Sequence, residues 1–438
     1  MAKFIIESLG CTHCLADAER MSGLLQQAKF TAVDDIEDAY LIIFNICAVK
    51  GPSESAFIQR LQEFRTKYPY KLIVIAGCVA GSHPDKFKKY SLVVSSQIHR
   101  IVEVVEETLS NNIDHITGGI EGERAPTLDL PRIRKYPHLE IIPISYGCES
   151  SCSFCKNYSG RQNSYSKEEI VKVVKKAIEE GVKEIVLTSH DPFAYGFDIN
   201  TSLPSLIKEL VVIPRNFKIK IDAGIPENLQ KIGVHLFPLF NNDKMFKYLS
   251  LPIYTGSNKL RKELKFSLNT EELIYLFDQA KIVIPDLTIA TEVLSGIPSE
   301  NDDDHWETQN ILRKISPDSV IIIPFVSNSK SPLLKLRKLS EDVLTHRLKV
   351  LSDIYANTAK MCNERWLGWE GEVIIEEKMI EENLVTNLKQ TSLEHQQWIG
   401  RNFAYKPISM EGEFKLGDTI KVKISRVSNF ELKGNVVN

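Results

Sequence analysis

The amino-acid sequence predicts an α/β protein built from three parts that follow one another along the chain. Two stretches alternate short apolar runs with helical patterns, which is typical of parallel sheets covered by helices. The last stretch contains short β runs separated by turn residues, which indicates a small β-barrel. We therefore expect an N-terminal parallel α/β domain over residues 1–115, a central partial (β/α)6 barrel over residues 134–360 and a C-terminal small β-barrel over residues 364–438.

The N-terminal part contains three apolar runs with the length of buried strands, and a helical pattern follows each of them. The runs are Phe4–Glu7, Leu41–Ile46 and Leu72–Ala76. A cysteine comes shortly after each run: Cys11, Cys47 and Cys78. Because the loops at the carboxyl ends of parallel strands meet at one edge of a sheet, we expect these thiols to converge. The alternative is three buried cysteines that pack as small apolar side chains.

A polar connector over residues 111–139 separates this part from a second alternation of strands and helices. Six apolar runs of strand length follow: Ile141–Ser145, Glu184–Thr188, Lys218–Ala223, Tyr248–Ile253, Leu287–Leu294 and Val320–Phe325. A long helical pattern over residues 340–363 ends this part. Since the chemistry of such barrels gathers at the carboxyl ends of the strands, the loop after the first strand is a candidate site.

That loop contains Cys148, Cys152 and Cys155 in a CxxxCxxC spacing. Three thiolates this close can hold three irons of a 4Fe–4S cluster, for which cysteine ligation is usual. The fourth iron then has no protein ligand and can chelate the amino and carboxylate groups of S-adenosylmethionine, whose reductive cleavage releases a 5′-deoxyadenosyl radical. The alternative is a structural zinc site in which Cys11 and Cys14 join two of these cysteines.

The C-terminal part combines basic and aromatic residues of the kind that bind RNA. The candidates are the basic residues Lys421, Lys423 and Arg426 and the aromatic residues Trp398, Phe403 and Tyr405. Acidic residues are about as common in this part, so a solvated surface is an equally good interpretation of its composition.

Overall composition is that of a soluble globular protein, with 43% apolar and 25% charged residues among 438. The formal net charge of −3 gives no general attraction to nucleic acid. No apolar run reaches the roughly 18–20 residues of a membrane span, and the first residues do not form a signal peptide, so we expect a cytoplasmic protein. In that compartment, eight cysteines favour metal binding or catalysis over a disulfide framework.

The motifs of the chain resemble those of the methylthiotransferase branch of the radical S-adenosylmethionine enzymes, in all three parts. Three segments are similar to the auxiliary-cluster motifs of that family: Ser8–Cys11, Phe44–Glu54 and Ala76–Cys78. Three others resemble its radical loop and two S-adenosylmethionine-binding motifs: Ile141–Cys155, Glu184–Gly196 and Ile289–Glu300. The form Asn-x-Cys-x-Val-Lys-Gly-Pro-x-Glu, which begins at Asn45, resembles the archaeal and eukaryotic members that modify threonylcarbamoyladenosine in tRNA.

This resemblance implies a tRNA-modifying transferase that inserts a methylthio group at C2 of N6-threonylcarbamoyladenosine, next to the anticodon. It implies two 4Fe–4S clusters, of which the auxiliary one carries or donates sulfur, and S-adenosylmethionine as cofactor. One S-adenosylmethionine methylates that sulfur, and a second yields the radical that abstracts hydrogen from C2 of adenine. A radical is needed because this C–H bond offers no acid, base or leaving group.

The resemblance also assigns roles to individual residues. The catalytic ligands of the radical cluster are Cys148, Cys152 and Cys155. The ligands of the auxiliary cluster are Cys11, Cys47 and Cys78. The residues implied to contact S-adenosylmethionine are Tyr146, Phe154, Ser189, His190, Asp191, Glu292 and Pro298. Several positions depart from the family pattern, among them His190, which stands where Glu or Gln is usual, and Cys14, which stands where Asn is common.

The implied partners are a tRNA, bound at its anticodon loop, and an electron donor such as ferredoxin or flavodoxin. Residues 364–438 resemble the TRAM-like RNA-binding barrel of the family, and we expect a monomer with no membrane partner. Two alternatives stay open. One is methylthiolation of another target, such as an isopentenyl-type adenosine or a ribosomal protein, and the other is a non-catalytic RNA-binding paralogue that retains its clusters.

Overall fold

The computed structural model describes residues 2–47, 51–82, 84–116, 128–150, 152–153, 160–325, 333, 338–379 and 397–437. The predicted fold class is confirmed: a parallel α/β sheet, two parallel sheets of a partial barrel and a closed small barrel follow one another along the chain. Within these ranges, no helix combines the length and the apolar character that crossing a bilayer requires.

The N-terminal domain is a parallel sheet flanked by helices. Its strands are β1 (Lys3–Leu9), β2 (Thr31–Ala32), β3 (Leu41–Ile46), β4 (Leu72–Ala76), β5 (Ser91–Val93) and β6 (His115–Ile116). Its helices are α1 (Thr12–Gln27), α2 (Gly51–Lys67), α3 (Cys78–Ser82), α4 (Pro84–Phe87) and α5 (Ile101–Leu109). The strand order is β2-β1-β3-β4-β5-β6. Every residue of β3 is buried, as expected for a central strand that helices cover on both faces.

The strands β1, β3 and β4 end at the same edge of this sheet. The register pairs Leu9 with Ile46, which are the last residues of β1 and β3. The chain segments that leave these strands therefore start side by side. They carry the three predicted cysteines: Cys11, Cys47 and Cys78.

The central domain alternates strands with helices, as predicted. Its strands are β7 (Leu139–Pro143), β8 (Ser145–Cys148), β9 (Gly160–Ser164), β10 (Glu184–Thr188), β11 (Lys218–Ile221), β12 (Tyr248–Ser250), β13 (Thr288–Ser295) and β14 (Ser319–Pro324). Its helices are α6 (Lys167–Glu179), α7 (Leu203–Val211), α8 (Pro226–Leu236), α9 (Asn258–Glu263), α10 (Thr270–Val283), α11 (Asp302–Ile315) and α12 (Glu341–Glu364). Two parallel sheets, β7-β10-β11 and β12-β13-β14, meet at a single bridge between Ile219 and Met245. The six strands thus form an open arc.

One feature of this domain was not predicted. The strands β8 and β9 pair as an antiparallel hairpin around the cysteine loop. The predicted strand Ile141–Ser145 is divided into two. The Ile144 N–H donates to the Thr188 carbonyl at 2.9 Å, and the chain then leaves β10 and pairs with β9. The hairpin holds the two ends of the cysteine loop together.

The C-terminal part is a closed barrel with strand order β15-β16-β17-β19-β18. Its strands are β15 (Glu370–Lys378), β16 (Gln397–Arg401), β17 (Pro407–Glu411), β18 (Thr419–Val427) and β19 (Leu432–Val436). Along β18, Lys421 and Lys423 are exposed and Val422 between them is buried, so these two candidate basic residues face solvent.

The prediction that the aromatic rings of this barrel stack on bases is wrong for Trp398. Its side chain is only 6% exposed, lies in the barrel core and donates its Nε1–H to the Gly412 carbonyl at 3.0 Å. Phe403 and Tyr405 are half-buried and pack against other rings, Phe403 beside Trp366 and Tyr405 beside residues of the central domain. A sequence pattern does not distinguish a ring that faces solvent from one that fills a small core.

The barrel packs against the amino ends of the central strands. The Lys247 N–H, just before β12, donates to the Phe403 carbonyl at 2.9 Å. The buried Lys406 ammonium lies 2.9 Å from the carboxylate of Asp318, just before β14. The barrel therefore covers the end of the arc opposite to the carboxyl ends of its strands.

Candidate active site

Four thiols gather at the carboxyl edge of the N-terminal sheet. The Sγ atoms of Cys11, Cys14 and Cys47 lie within 4.8 Å of one another. The Cys78 thiol lies within hydrogen-bonding reach of Cys14 and Cys47. The three predicted thiols thus converge, and Cys14 joins them because Cys11 is the N-cap of α1 and a residue three positions later lies on the same face of the first turn.

The space for these thiols depends on two residues beside Cys14. A side chain at Gly10 would bring its Cβ within 2.7 Å of the Cys14 Sγ, so only glycine leaves room there. Asn45 is fully buried and donates from Nδ2 to the Cys14 carbonyl at 2.6 Å. This bond ties the first turn of α1 to the end of β3. The sequence motif around Asn45 does not predict this contact with Cys14.

The proximity of the thiols also affects their protonation. Hydrogen bonds with Cys11, Cys47 and Cys78 raise the pKa of Cys14. Hydrogen bonds from Cys11 and Cys14 lower the pKa of Cys47 to about 7. Since the thiolate is the form that binds metals, Cys47 is poised for ligation near neutral pH.

This donor set fits an iron–sulfur cluster, which takes cysteine thiolates as ligands. The proposed zinc site, in which the CxxC pairs at Cys11 and Cys152 combine, is not supported by the described residues. The thiols that gather around Cys11 are Cys14, Cys47 and Cys78.

The radical loop is described in part. Cys148 is the last residue of β8, and the Ser150 N–H donates to its Sγ at 3.4 Å. The Ser150 hydroxyl also lies 2.8 Å from the Cys152 Sγ, so one serine contacts both thiols. The predicted ligand Cys155 and the predicted shield Phe154 lie outside the described residues.

The same loop also forms hydrogen bonds with the second half of the barrel, at the end of α9. Ser153 donates from its N–H to the Leu264 carbonyl at 3.2 Å and from its hydroxyl to the Glu263 carbonyl at 3.0 Å. Both acceptors lie at the end of α9. The cysteine loop is thus held between the first and second halves of the barrel.

Asp191, one of the predicted S-adenosylmethionine contacts, organises its own neighbourhood. It accepts hydrogen bonds from the N–H groups of Phe193 at 3.2 Å and Ile225 at 3.0 Å. Its other oxygen accepts from Nδ2 of Asn228 at 2.6 Å. Burial raises the pKa of Asp191 to about 6, although these hydrogen bonds oppose the shift. Asp191 therefore fixes the loops after β10 and β11 relative to one another.

Ser189 and His190 come directly after β10, and His190 contacts the N-terminal domain. His13 stands between Cys11 and Cys14 in the sequence. Its ring lies 5.2 Å from the ring of His190 and 5.2 Å from the ring of Tyr146 on β8. The Ser189 hydroxyl is buried and has no hydrogen-bond partner among the described residues. The first turn of α1 thus contacts the carboxyl ends of the central strands, and the two cysteine sites are neighbours.

The histidine at position 190 is neutral at physiological pH. Burial lowers its pKa to about 3, and the charge of His13 acts in the same direction. A neutral imidazole does not repel an ammonium group and offers it a lone pair. His190 therefore still offers a hydrogen-bond acceptor at the position where the family usually has Glu or Gln.

The loop after β13 contains the remaining predicted contacts. Glu292 is half-buried on β13, and Pro298 is buried in the loop. Glu300 holds this loop, since its Oε2 accepts the Gly296 N–H at 2.8 Å and lies 2.9 Å from Nη1 of Arg347 on α12. The loop is thus anchored to the last helix of the central domain by a buried ion pair.

Replacing Arg347 with Ala should strongly destabilise the central domain. The guanidinium and the Glu300 carboxylate are 5% and 1% exposed, so the substitution leaves a buried charge without its partner and costs about 3–5 kcal/mol. The measurement is the midpoint of urea unfolding, followed by circular dichroism under anaerobic conditions. Lys349→Ala, which removes an exposed pair with Asp353 on the same helix, should cost less than about 0.5 kcal/mol. Equal midpoints for the two variants would contradict this account.

A cavity of about 410 Å³ opens beside the radical loop at the carboxyl ends of the strands. Its lining includes Cys148, Gln162, Asp191, Glu227, Lys231 and Lys265. Cys148 is the one predicted cluster ligand among the described residues that line this cavity.

Comparison with known proteins agrees with this architecture. The model of the Uncharacterized protein family UPF0004 matches residues 3–98, and that of the Radical SAM superfamily matches residues 142–312. Similar chains include the threonylcarbamoyladenosine tRNA methylthiotransferase of Danio rerio, at 30% identity over 99% of this chain and 78% of the relative. The probable enzyme of that name from Methanothermobacter thermautotrophicus is 29% identical over 85% of this chain and 88% of the relative.

Among solved structures, the radical S-adenosylmethionine methyltransferase TsrM from Kitasatospora setae is similar in fold, with a TM-score of 0.53 at 13% identity. The match covers 74% of this chain and 75% of TsrM. Both matched domains carry cysteines at their strand ends, and the sequence identity with these relatives extends over nearly the whole chain. The chain belongs to the threonylcarbamoyladenosine tRNA methylthiotransferase family.

Proposed function

We propose that this protein is a transferase that inserts a methylthio group at C2 of N6-threonylcarbamoyladenosine next to the anticodon of a tRNA. The observation that carries the proposal is the arrangement of two separate cysteine sites at the strand ends of two adjoining domains. His13, within the auxiliary cysteine segment, contacts Tyr146 and His190 of the central domain. Sulfur chemistry and radical chemistry are thereby brought to neighbouring positions.

Different residues of the chain serve the two cysteine sites. When bound, the two 4Fe–4S clusters and S-adenosylmethionine supply the sulfur and the radical chemistry. Cys148, Cys152 and Cys155 would hold the radical cluster, and Cys11, Cys47 and Cys78 the auxiliary cluster. The residues that would contact S-adenosylmethionine are Tyr146, Phe154, Ser189, His190, Asp191, Glu292 and Pro298.

The test is mass spectrometry of tRNA nucleosides from cells that lack this protein. The 2-methylthio derivative of threonylcarbamoyladenosine should disappear while the unmodified nucleoside accumulates. Persistence of the derivative, in cells with no second enzyme of this family, would refute the proposed substrate. Release of 5′-deoxyadenosine from S-adenosylmethionine by the purified protein with dithionite would rule out the non-catalytic alternative.

Two lysines at the cavity suit the carboxylate of the threonylcarbamoyl group. Lys231 and Lys265 line the cavity, and neither forms an ion pair with a described residue. The lining also contains four acidic residues, Glu149, Asp191, Asp198 and Glu227. Three of them, Asp191, Asp198 and Glu227, already accept hydrogen bonds from N–H groups of the protein. The lysines therefore leave positive charge available to an anionic group in the cavity.

Replacing both Lys231 and Lys265 with Ala should raise KM for the tRNA substrate about tenfold, the equivalent of about 1.4 kcal/mol. Formation of 5′-deoxyadenosine without tRNA should not change, because no hydrogen bond or ion pair joins either lysine to the part of the cysteine loop that the structure describes. Lys262→Ala is the matched control, since this exposed lysine on α9 lies outside the cavity lining. A KM that is the same in the double variant and the control would exclude a role in substrate recognition.

The C-terminal barrel is the proposed RNA-binding domain, with the exposed Lys421 and Lys423 as phosphate contacts. Because it covers the amino ends of the strands, a tRNA that contacts it and the cavity must pass along the side of the arc. We further propose a ferredoxin or flavodoxin as electron donor, and a monomer that acts in the cytoplasm.

A further inference from the structure

The fourth thiol at the auxiliary site belongs to Cys14, which lies among the three predicted ligands. Its side chain is 1% exposed, and its Sγ lies 3.9 Å from that of Cys11. The Cys47 Sγ lies within 4.8 Å of both, and the Cys78 thiol lies within hydrogen-bonding reach of Cys14. A buried cysteine that only fills space would contact apolar side chains. Here the thiol of Cys14 is directed at the other three thiols.

The local structure keeps Cys14 in this position. It occupies the first turn of α1, three residues after the N-cap Cys11. Its carbonyl accepts the Nδ2–H of the buried Asn45 at 2.6 Å, and the absence of a side chain at Gly10 leaves the space that its Sγ fills. The thiol is thus fixed by contacts with both neighbouring strand ends, as a metal ligand must be.

We propose that Cys14 is a fourth protein ligand of the auxiliary metal centre, together with Cys11, Cys47 and Cys78. This inference rests on the proposed function in taking that centre to be a 4Fe–4S cluster, for which four cysteine ligands are usual. The consequence is a closed centre, in contrast to the radical loop, which has three cysteines and leaves one iron open. Each iron of the auxiliary centre then has its own thiolate in the resting protein.

A closed centre places a condition on sulfur binding at the fourth iron. With four thiolates bound, an incoming sulfide would need the place of one of them. The Cys14 thiolate would leave while the sulfide supplies its own electron pair, so that no electron is gained or lost. Cys14 would thereby control the access of sulfur to the centre.

Zinc is the competing occupant of four such thiols. A single tetrahedral zinc ion with thiolates at about 2.3 Å holds them about 3.8 Å apart, which is near the 3.9 Å between Cys11 and Cys14. A cubic cluster needs wider spacing, because each thiolate binds a different iron. Metal analysis of the isolated site separates the two occupants.

The experiment uses the full chain with Cys148, Cys152 and Cys155 replaced by Ala, so that only the auxiliary centre can form. Iron, sulfide and zinc are measured after anaerobic reconstitution in this parent, in Cys14→Ala, in Cys78→Ala and in the Cys14→Ala, Cys78→Ala double variant. If Cys14 is a ligand, each single variant keeps three thiolates and about four irons, and the double variant loses them. Cys362→Ala, a remote cysteine whose Sγ donates to the Ser316 carbonyl, should match the parent.

Loss of iron in Cys78→Ala alone, with full iron in Cys14→Ala, would overturn the inference, because it would mean that Cys14 does not replace a lost ligand.

A second readout uses only the parent and Cys14→Ala. Electron paramagnetic resonance of the reduced protein with ¹³C-methanethiolate should show a carbon coupling that saturates at a lower methanethiolate concentration in Cys14→Ala than in the parent, because the parent must first release Cys14. Saturation at the same concentration in both proteins would overturn the inference. A third outcome is that the parent and both single variants bind zinc and the double variant does not. This result would uphold Cys14 as a ligand and refute the proposed cluster.

Discussion

Replacing Cys148 with Ala is expected to reduce 5′-deoxyadenosine formation to the level seen without protein. The substitution leaves at most two thiolates for the radical cluster, and the thiolate that it removes is held by the hairpin of β8 and β9 and by the Ser150 N–H. Without the cluster, no electron reaches the sulfonium of S-adenosylmethionine. The measurement is chromatography with mass spectrometry after anaerobic incubation with dithionite and S-adenosylmethionine.

Cys362→Ala is the control for this experiment, because Cys362 lies on α12 away from both cysteine sites and contacts the Ser316 carbonyl at 3.4 Å. It should form 5′-deoxyadenosine at the wild-type rate. If Cys148→Ala also retained that rate, the CxxxCxxC loop could not be the source of the radical.

The double substitution of Cys11 and Cys47 with Ala is expected to separate the two chemistries. It removes two of four gathered thiols and should lower the iron content from about eight to about four per chain. Formation of 5′-deoxyadenosine should continue, since the radical loop is unchanged. The methylthio product should be absent, because the site that supplies sulfur is lost.

The readouts of this double variant are iron analysis, 5′-deoxyadenosine and modified nucleoside, each measured in the same preparation. Formation of methylthiolated nucleoside by a variant with about four irons would show that the auxiliary thiols are not needed for sulfur insertion. Wild-type iron content would show that they do not hold a cluster.

Much of the fold follows from local patterns in the chain. Buried parallel strands are continuous apolar runs, and for this reason Leu41–Ile46 and Glu184–Thr188 were predicted with the bounds that the structure has. The convergence of the thiols after β1, β3 and β4 follows from parallel order, because strands that run in the same direction end at the same edge.

The features that were missed depend on contacts between distant segments. The hairpin of β8 and β9 has no apolar alternation, since β9 reads Gly-Arg-Gln-Asn-Ser. The burial of Trp398 depends on closure of the barrel around it. The predicted cluster ligands do not include Cys14, although its i, i+3 spacing from Cys11 indicates that both thiols occupy one face of the first helical turn.

The contact between the two cysteine sites was likewise not visible in the sequence. His13 and His190 are separated by more than a hundred and seventy residues, and their rings meet only because α1 packs against the carboxyl ends of the central strands. No local pattern encodes such a contact between domains. It depends on how two separately predicted sheets pack together.

The most direct test of this account is anaerobic turnover of the reconstituted wild-type protein on tRNA that contains N6-threonylcarbamoyladenosine, with methyl-labelled S-adenosylmethionine and dithionite. Mass spectrometry of the digested nucleosides should show the substrate converted to its 2-methylthio derivative with the label in the new methyl group. Unchanged threonylcarbamoyladenosine, in a reaction that releases 5′-deoxyadenosine, would contradict the account.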